Sequence, residues 1–452
     1  MNARSTSILL AAALSLAALP ACHKPSEPSA QAPATAGARA DADLRALALA
    51  KPAGTTPLDE AIRKQVARLE KADDAPADWW VTLASEWIVK ARQSQDPGFY
   101  LSADAAAQLA LEAEPGQQMA AAMRVVVQVN QHRFAEARDQ AKAILRSRPD
   151  NLMALGALAD AQLELGDVEG AGDSVQKMVD IKPDLASYGR AAHLRWLHGD
   201  LPAAKRFYRS AIDSGVNTRE PEPGTWMMVQ AALVFWNQGD ADGAEAGFKA
   251  ALNLVPNYPP ALVGEAKVEL ARGHASQAVK LLEQAWAKSP LVETGWLLGD
   301  ARAAAGDATG AQASWDAAIA MGEKSDHLSL GNLLAAKGWR LPEALEKLEG
   351  ELRVRPNQQV RDAYGWALYR AGRIQEARQQ SDQVMSVGTP DPKYFFHAGA
   401  IRAAAGDPAG GRALLERALK LNPAFDLNGA RECRELIAKL ESGAAGAVAG
   451  AK

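Results

Sequence analysis

The strongest constraint in this 452-residue chain is a 34-residue period, cleanest at residues 257–290, NYPPALVGEAKVELARGHASQAVKLLEQAWAKSP. Leu262, Val263, Ala266 and Leu270 recur at the three-or-four spacing that lays one apolar stripe along a helix. Gly273 follows, as expected just past a helix end, where a left-handed residue costs glycine no Cβ clash. Ala278, Leu281, Leu282 and Ala285 form the stripe of a second helix, and Pro290 stops it because proline cannot continue the hydrogen-bond ladder. Neither short helix can bury its stripe alone. Stacking many copies of the pair covers both.

The turn glycine recurs at Gly166, Gly199, Gly239, Gly273, Gly306, Gly338, Gly372 and Gly406, at intervals of 33, 40, 34, 33, 32, 34 and 34. Asp follows in five of these turns, which predicts an N-cap for the second helix. Five or six residues past the glycine stands Ala171, Ala204, Ala244, Ala278, Ala311, Ala344 or Ala377, small enough for the second helix to lie close on the first. Prolines keep step, among them Pro115, Pro149, Pro183, Pro290, Pro356 and Pro423. The pattern resembles the tetratricopeptide repeat family, whose 34-residue unit carries small residues near positions 8, 20 and 27 and proline near 32. Gly299, Ala311 and Ala318 match the three small positions, and Gly365 and Gly399 match the first. Gly411 stands where alanine is expected, and the unit around Gly338 lacks the third small residue. The resemblance covers about three quarters of the chain. It implies an all-α fold: an α–α superhelix of about nine to ten helix–turn–helix repeats over 78–423, with capping helices at 57–77 and 424–440.

The ends read differently. Residues 1–21 look like a targeting leader, with Arg4, an apolar run over 8–19 too short to span a bilayer permanently, and the ending Leu19-Pro20-Ala21-Cys22. That ending resembles the lipobox of bacterial lipoproteins, which implies that Cys22 becomes a lipidated first residue anchored in a membrane. A plain secretory leader cut nearby is the alternative, and either reading exports the chain. His23 and Lys24 follow with no Asp, so the family's sorting rule points to an outer-membrane lipoprotein facing the periplasm. Residues 22–56, rich in Ala, Pro and Ser, read as a flexible tether reaching on the order of 30 Å. Thr56 and Pro57 sit at favoured helix-start positions, and Leu427, Ala430, Cys433, Leu436 and Leu440 mark a last amphipathic helix. Residues 441–452 are a Gly/Ala tail expected to have no fold.

Net charge is −4, with basic and acidic residues interleaved as on solvated helix faces, which argues against nucleic acid. Only two cysteines occur; Cys433, on an apolar stripe, reads as a buried inert thiol. The seven histidines form no H-E-x-x-H, so neither a metal nor any other cofactor is expected. Ser174 to Lys177 fits S-x-x-K, but its companion motifs are absent and it falls inside a repeat helix. No non-repeat stretch is long enough for a catalytic domain, and the chain is read as a non-enzyme.

The interval of 40 reflects an insertion at Ser214 to Gly224, read as a loop: a partner-contacting lip or a tolerated surface insertion. What remains is the concave face, which in the tetratricopeptide family is lined by positions 2, 5, 9 and 12 of each first helix. Carried over, that register gives candidate partner-binding residues Trp196, Trp226, Val229, Trp236, Val263, Lys267, Trp296, Asp300, Trp366, Arg370 and Phe396. Aromatics with Arg are typical binding anchors, although tryptophans also fill gaps between helices. The expected function is a lipid-anchored envelope scaffold that takes a protein or extended peptide in this groove. The alternative is an accessory in exopolysaccharide synthesis or export, with tryptophans stacking on glycan.

Overall fold

The computed structural model describes residues 43–94, 96–216 and 221–449. The leader, Cys22 and tether residues 22–42 lie outside them. Among the described residues every regular element is a helix, and the chain divides into two compact units at Lys182 and Pro183.

The first unit holds a short helical stretch at 43–48 and the helix Pro57–Leu69, followed by the pairs Ala77–Ser94 with Phe99–Ala113, Gln118–Asn130 with Phe134–Ser147, and Leu152–Glu164 with Val168–Ile181. Thr56 caps the helix Pro57–Leu69: its Oγ1 accepts from the Asp59 amide at 3.2 Å, while its own amide donates to Asp59 Oδ2 at 2.9 Å. Asp59 is fully buried and its Oδ1 lies 2.7 Å from Lys90 Nζ. Burial alone would raise this carboxyl, but Lys90 and the Thr56 hydroxyl and amide outweigh it and hold the group at about 2. The tether is shorter than its composition suggests. Residues 43–48 are helical, Ala48 is fully buried, and Trp87 Nε1 donates to the Ala48 carbonyl at 3.0 Å. Arg63 Nη1 donates to the carbonyls of Pro52 and Gly54, so the backbone of this Ala/Pro stretch is held by side chains that composition does not reveal.

The second unit stacks seven pairs: Leu185–Leu197 with Leu201–Asp213, Glu222–Asn237 with Ala241–Leu254, Pro259–Ala271 with Ala275–Lys288, Val292–Ala304 with Ala308–Ser325, His327–Lys337 with Leu341–Val354, Gln358–Arg370 with Ile374–Ser386, and Pro392–Ala404 with Pro408–Leu421. The helix Gly429–Ala449 closes it. That helix begins later than the expected 424 and continues through residues expected to be an unfolded tail, in keeping with the high helix propensity of their alanines. The expected insertion is also shorter, since Glu222, Pro223 and Gly224 form the first turn of the next helix.

The repeat grammar has a local cause at each position. All eight turn glycines have φ between 68° and 94°; in the turn where the period calls for glycine at 132, His132 adopts φ 60° instead. The five aspartates after turn glycines, Asp167, Asp200, Asp240, Asp307 and Asp407, each accept from the amide three residues on at 2.8–3.1 Å. The seven alanines at the helix crossing are 0–1% exposed. Gly411 breaks that rule because its pair is tighter still: a Cβ there would lie 2.7 Å from the Gly399 carbonyl. Cys433 is fully buried with its Sγ donating to the Leu415 carbonyl at 3.4 Å, and burial pushes the thiol up to about 12.

Candidate functional site

In the second unit three successive first helices, Glu222–Asn237, Pro259–Ala271 and Val292–Ala304, present one wall of a cavity of about 390 Å³. Trp236, Val263, Lys267, Trp296 and Asp300 all line it. The opposite wall comes from far along the chain: Asp391 to Lys393, Pro423 to Leu427, Ala430 and Arg434. Of this opposite wall only Lys393 lies at a position the repeat register marks as inward-facing. The wall exists because the coil returns on itself, and a sequence period carries no record of its pitch.

Contacts between distant pairs mark that return. Asn422 Nδ2 donates to the Trp236 carbonyl at 2.7 Å, and Asn428 Nδ2 donates to Asp300 Oδ2 at 3.0 Å. Thr389 Oγ1 lies 2.7 Å from the Leu197 carbonyl and 2.8 Å from Gln358 Oε1, with one proton to donate between them. Backbones meet at the same places. A Cβ on Gly239 would lie 2.8 Å from the Leu421 carbonyl, and one on Gly199 would lie 3.1 Å from that of Gly388, whereas a Cβ on Gly273, Gly306, Gly372 or Gly406 would meet nothing within 4 Å.

Asp300 is the electrostatic centre of this seam. Its carboxylate accepts from Trp315 Nε1 at 3.1 Å and from Asn428, and pairs with Lys337 Nζ at 2.5 Å. Lys337 also sits 4.0 Å from the Trp315 ring. Burial raises the Asp300 carboxyl and Lys337 opposes the rise, leaving it above its ordinary value. Asp300 is therefore a pin between elements more than a free groove ligand. By contrast the charged ends of Lys267 and Glu293, both lining the cavity, make no hydrogen bond or ion pair among the described residues, while the Lys393 charge acts on the buried Asp391 carboxylate.

Other candidates sit elsewhere. Val229, Trp366 and Phe396, expected in the groove, are 2–3% exposed and belong to helix–helix cores. Trp366 stacks on His397 at 4.1 Å, and His397 Nδ1 lies 2.9 Å from Asp362 Oδ2. Those three side chains are all buried. Arg370 reaches Glu432 on the closing helix at 3.4 Å, a bridge inside the unit. Trp196 and Trp226 are half-buried, and each keeps a buried indole N–H with no hydrogen-bond partner. His193, packed 5.6 Å from Trp196, is pushed down to about 4 by burial and is neutral at physiological pH. Among the described residues no group of three or more His, Cys, Asp or Glu could hold a metal, and no helix is long and apolar enough to cross a membrane.

Two tetratricopeptide repeat family models match residues 122–186 and 235–293. The "Protein CTR9 homolog" of Arabidopsis thaliana is 34% identical over 83 residues, which are 18% of this chain and 7% of that protein, so the chain spans a small fraction of the relative's length. Similar solved structures include a tetratricopeptide repeat protein from Parabacteroides merdae (20% identity, TM-score 0.39, covering 53% of this chain and 93% of the other). Another is PilW, described as a type IV pilus biogenesis factor (17%, TM-score 0.41, covering 48% and 99%). Among the described residues the chain is all-α, built of successive helix–turn–helix pairs, and two stretches of it, 122–186 and 235–293, match tetratricopeptide repeat models.

Proposed function

We propose that this protein is a non-enzymatic scaffold of the bacterial cell envelope, lipid-anchored through Cys22, that binds a protein or extended peptide on the inner face of its second unit. Tetratricopeptide repeat proteins generally act as protein-interaction scaffolds. The observation that carries the site is the cavity itself: three consecutive first helices turn Trp236, Trp296 and Val263 toward one space, together with Lys267 and Glu293, which are unpaired among the described residues. Apolar area flanked by a few uncommitted charges is what a specific polypeptide site needs.

The test is photo-crosslinking in cells from a benzoylphenylalanine placed at Trp296. A discrete adduct is expected that Lys267→Glu abolishes and that Lys280→Glu, on an exposed second helix, preserves. An adduct indifferent to both charge reversals overturns the site. For the anchor, Cys22→Ala should move the protein from the membrane to the soluble fraction, and unchanged fractionation removes that part of the reading. The tryptophans in the cavity wall favour glycan as the second reading, which binding of the purified chain to a glycan array tests.

A further inference from the structure

Glu293 and Trp296 stand three residues apart on the helix Val292–Ala304, which makes them neighbours on one face, and both line the cavity. Trp296 is half-buried, packed on the core of Val292, Ala318 and Leu333. Glu293 is exposed and pairs with no cation among the described residues. The cations that line the same space are placed differently. Lys393 acts on the buried Asp391 carboxylate, and Arg434 Nη2 donates to the Pro423 carbonyl at 2.6 Å. Lys267, on the neighbouring first helix, comes within ion-pair distance of no carboxylate among the described residues.

A second carboxyl adds to the imbalance. Asp326, 6% exposed, caps the helix His327–Lys337 by accepting from the Ser329 amide at 3.0 Å. Burial pushes it up to about 6, the Ser329 hydrogen bonds pull it back, and the Glu293 charge adds to the rise. Arg355, the cation that opposes them, is already paired with Glu351 at 2.7 Å. The start of its own helix gives Glu293 only a partial positive charge. This corner of the cavity therefore joins an aromatic ring to a carboxylate that lacks a cation among the described residues.

We propose that the corner takes its cation from the partner: a lysine or arginine side chain lying against the Trp296 ring with its charge on Glu293. This rests on the groove reading above and names the chemistry of the segment bound there. A ring and a carboxylate together select an ammonium or guanidinium over a neutral group of the same shape, because only the charged group gains from both. The cavity, about 390 Å³, has the size of a small-ligand site, so one such side chain and its immediate neighbours fill it. Lys267, on the next helix, favours an acidic residue beside the basic one.

The probes are two fluorescein-labelled hexapeptides, Gly-Gly-Arg-Glu-Gly-Gly and Gly-Gly-Glu-Arg-Gly-Gly, titrated by anisotropy into the purified full chain. Each is paired with a counterpart carrying citrulline, which keeps the shape of arginine without its charge. The better arginine peptide is expected to bind the parent at least about tenfold more tightly than its citrulline counterpart. Glu293→Gln, at an exposed position, is expected to bring the arginine peptide down to the citrulline value, while Glu346→Gln, exposed on the second helix Leu341–Val354, preserves the preference. Equal affinity for arginine and citrulline, absence of binding by both arginine peptides, a preference that survives Glu293→Gln, or one lost equally in both variants overturns the inference. If it falls while the Lys267-dependent adduct survives in cells, the groove stands with a different ligand chemistry at Glu293. If that adduct is also lost, both readings fall.

Discussion

Glu86 sits on the helix Ala77–Ser94 with its Oε2 beyond any donor, and burial pushes the carboxyl up to about 7. The folded chain holds this proton to a higher pH than the unfolded chain, whose value is near 4.5. Its contribution to stability is complete below that lower value and is lost as pH rises through about 7. Glu86→Gln abolishes the titration. Chemical unfolding should find variant and parent alike at pH 4, and the variant more stable at pH 8 by on the order of 1 kcal/mol, since water screens the partly exposed carboxylate. A difference independent of pH would assign the effect to packing. Asp59 on the neighbouring helix shows the opposite sign: held at about 2 chiefly by Lys90 against the pull of burial, it contributes above the unfolded carboxylate value and fails only as pH falls toward 2.

At the scale of the element, each helix pair is written almost completely in short-range sequence. Asp307 Oδ1 accepts from the Gly310 amide at 2.8 Å, satisfying a helix-end donor that otherwise faces water. Asp307→Ala should cost about 1 kcal/mol in unfolding free energy, whereas His274, which makes no side-chain cap, should tolerate alanine nearly without loss. The turn glycines, aspartate caps and crossing alanines were legible because each answers to neighbours within a dozen residues. The groove was legible only in part. Val263, Lys267, Trp296 and Asp300 line one cavity, with Trp236 lining it from within the buried core it shares with Val229, while Trp366 and Phe396 occupy similar helical positions and face the core. Which way a position points depends on how neighbouring pairs rotate against one another, and that rotation is not encoded at a fixed spacing.

On the largest scale the second unit departs from the usual energetics of a repeat array. Stacked repeats ordinarily touch only their neighbours, so their stability is close to a sum of local terms. Here Asn422 and Thr389 join residues 186 and 192 positions away. Gly239 and Gly273 separate this long-range contribution from the local one, since both turns need φ above 70° but only Gly239 lies against another backbone. Asparagine tolerates that backbone region. Gly239→Asn should therefore destabilise the protein more than Gly273→Asn by roughly 1–3 kcal/mol, the usual cost of overpacking, and should speed amide exchange near Asn422 as well. Equal losses would mean that the returning coil contributes nothing. The seam also bears on how such a chain can evolve. An open array can gain or lose a 34-residue unit by duplication or deletion and still present a continuous surface. Between Gly199 and Gly388 that freedom is gone, because one unit more or fewer would carry Thr389 and Asn422 past their carbonyls. The number of repeats in this stretch is tied to closure, as the strand number of a barrel is.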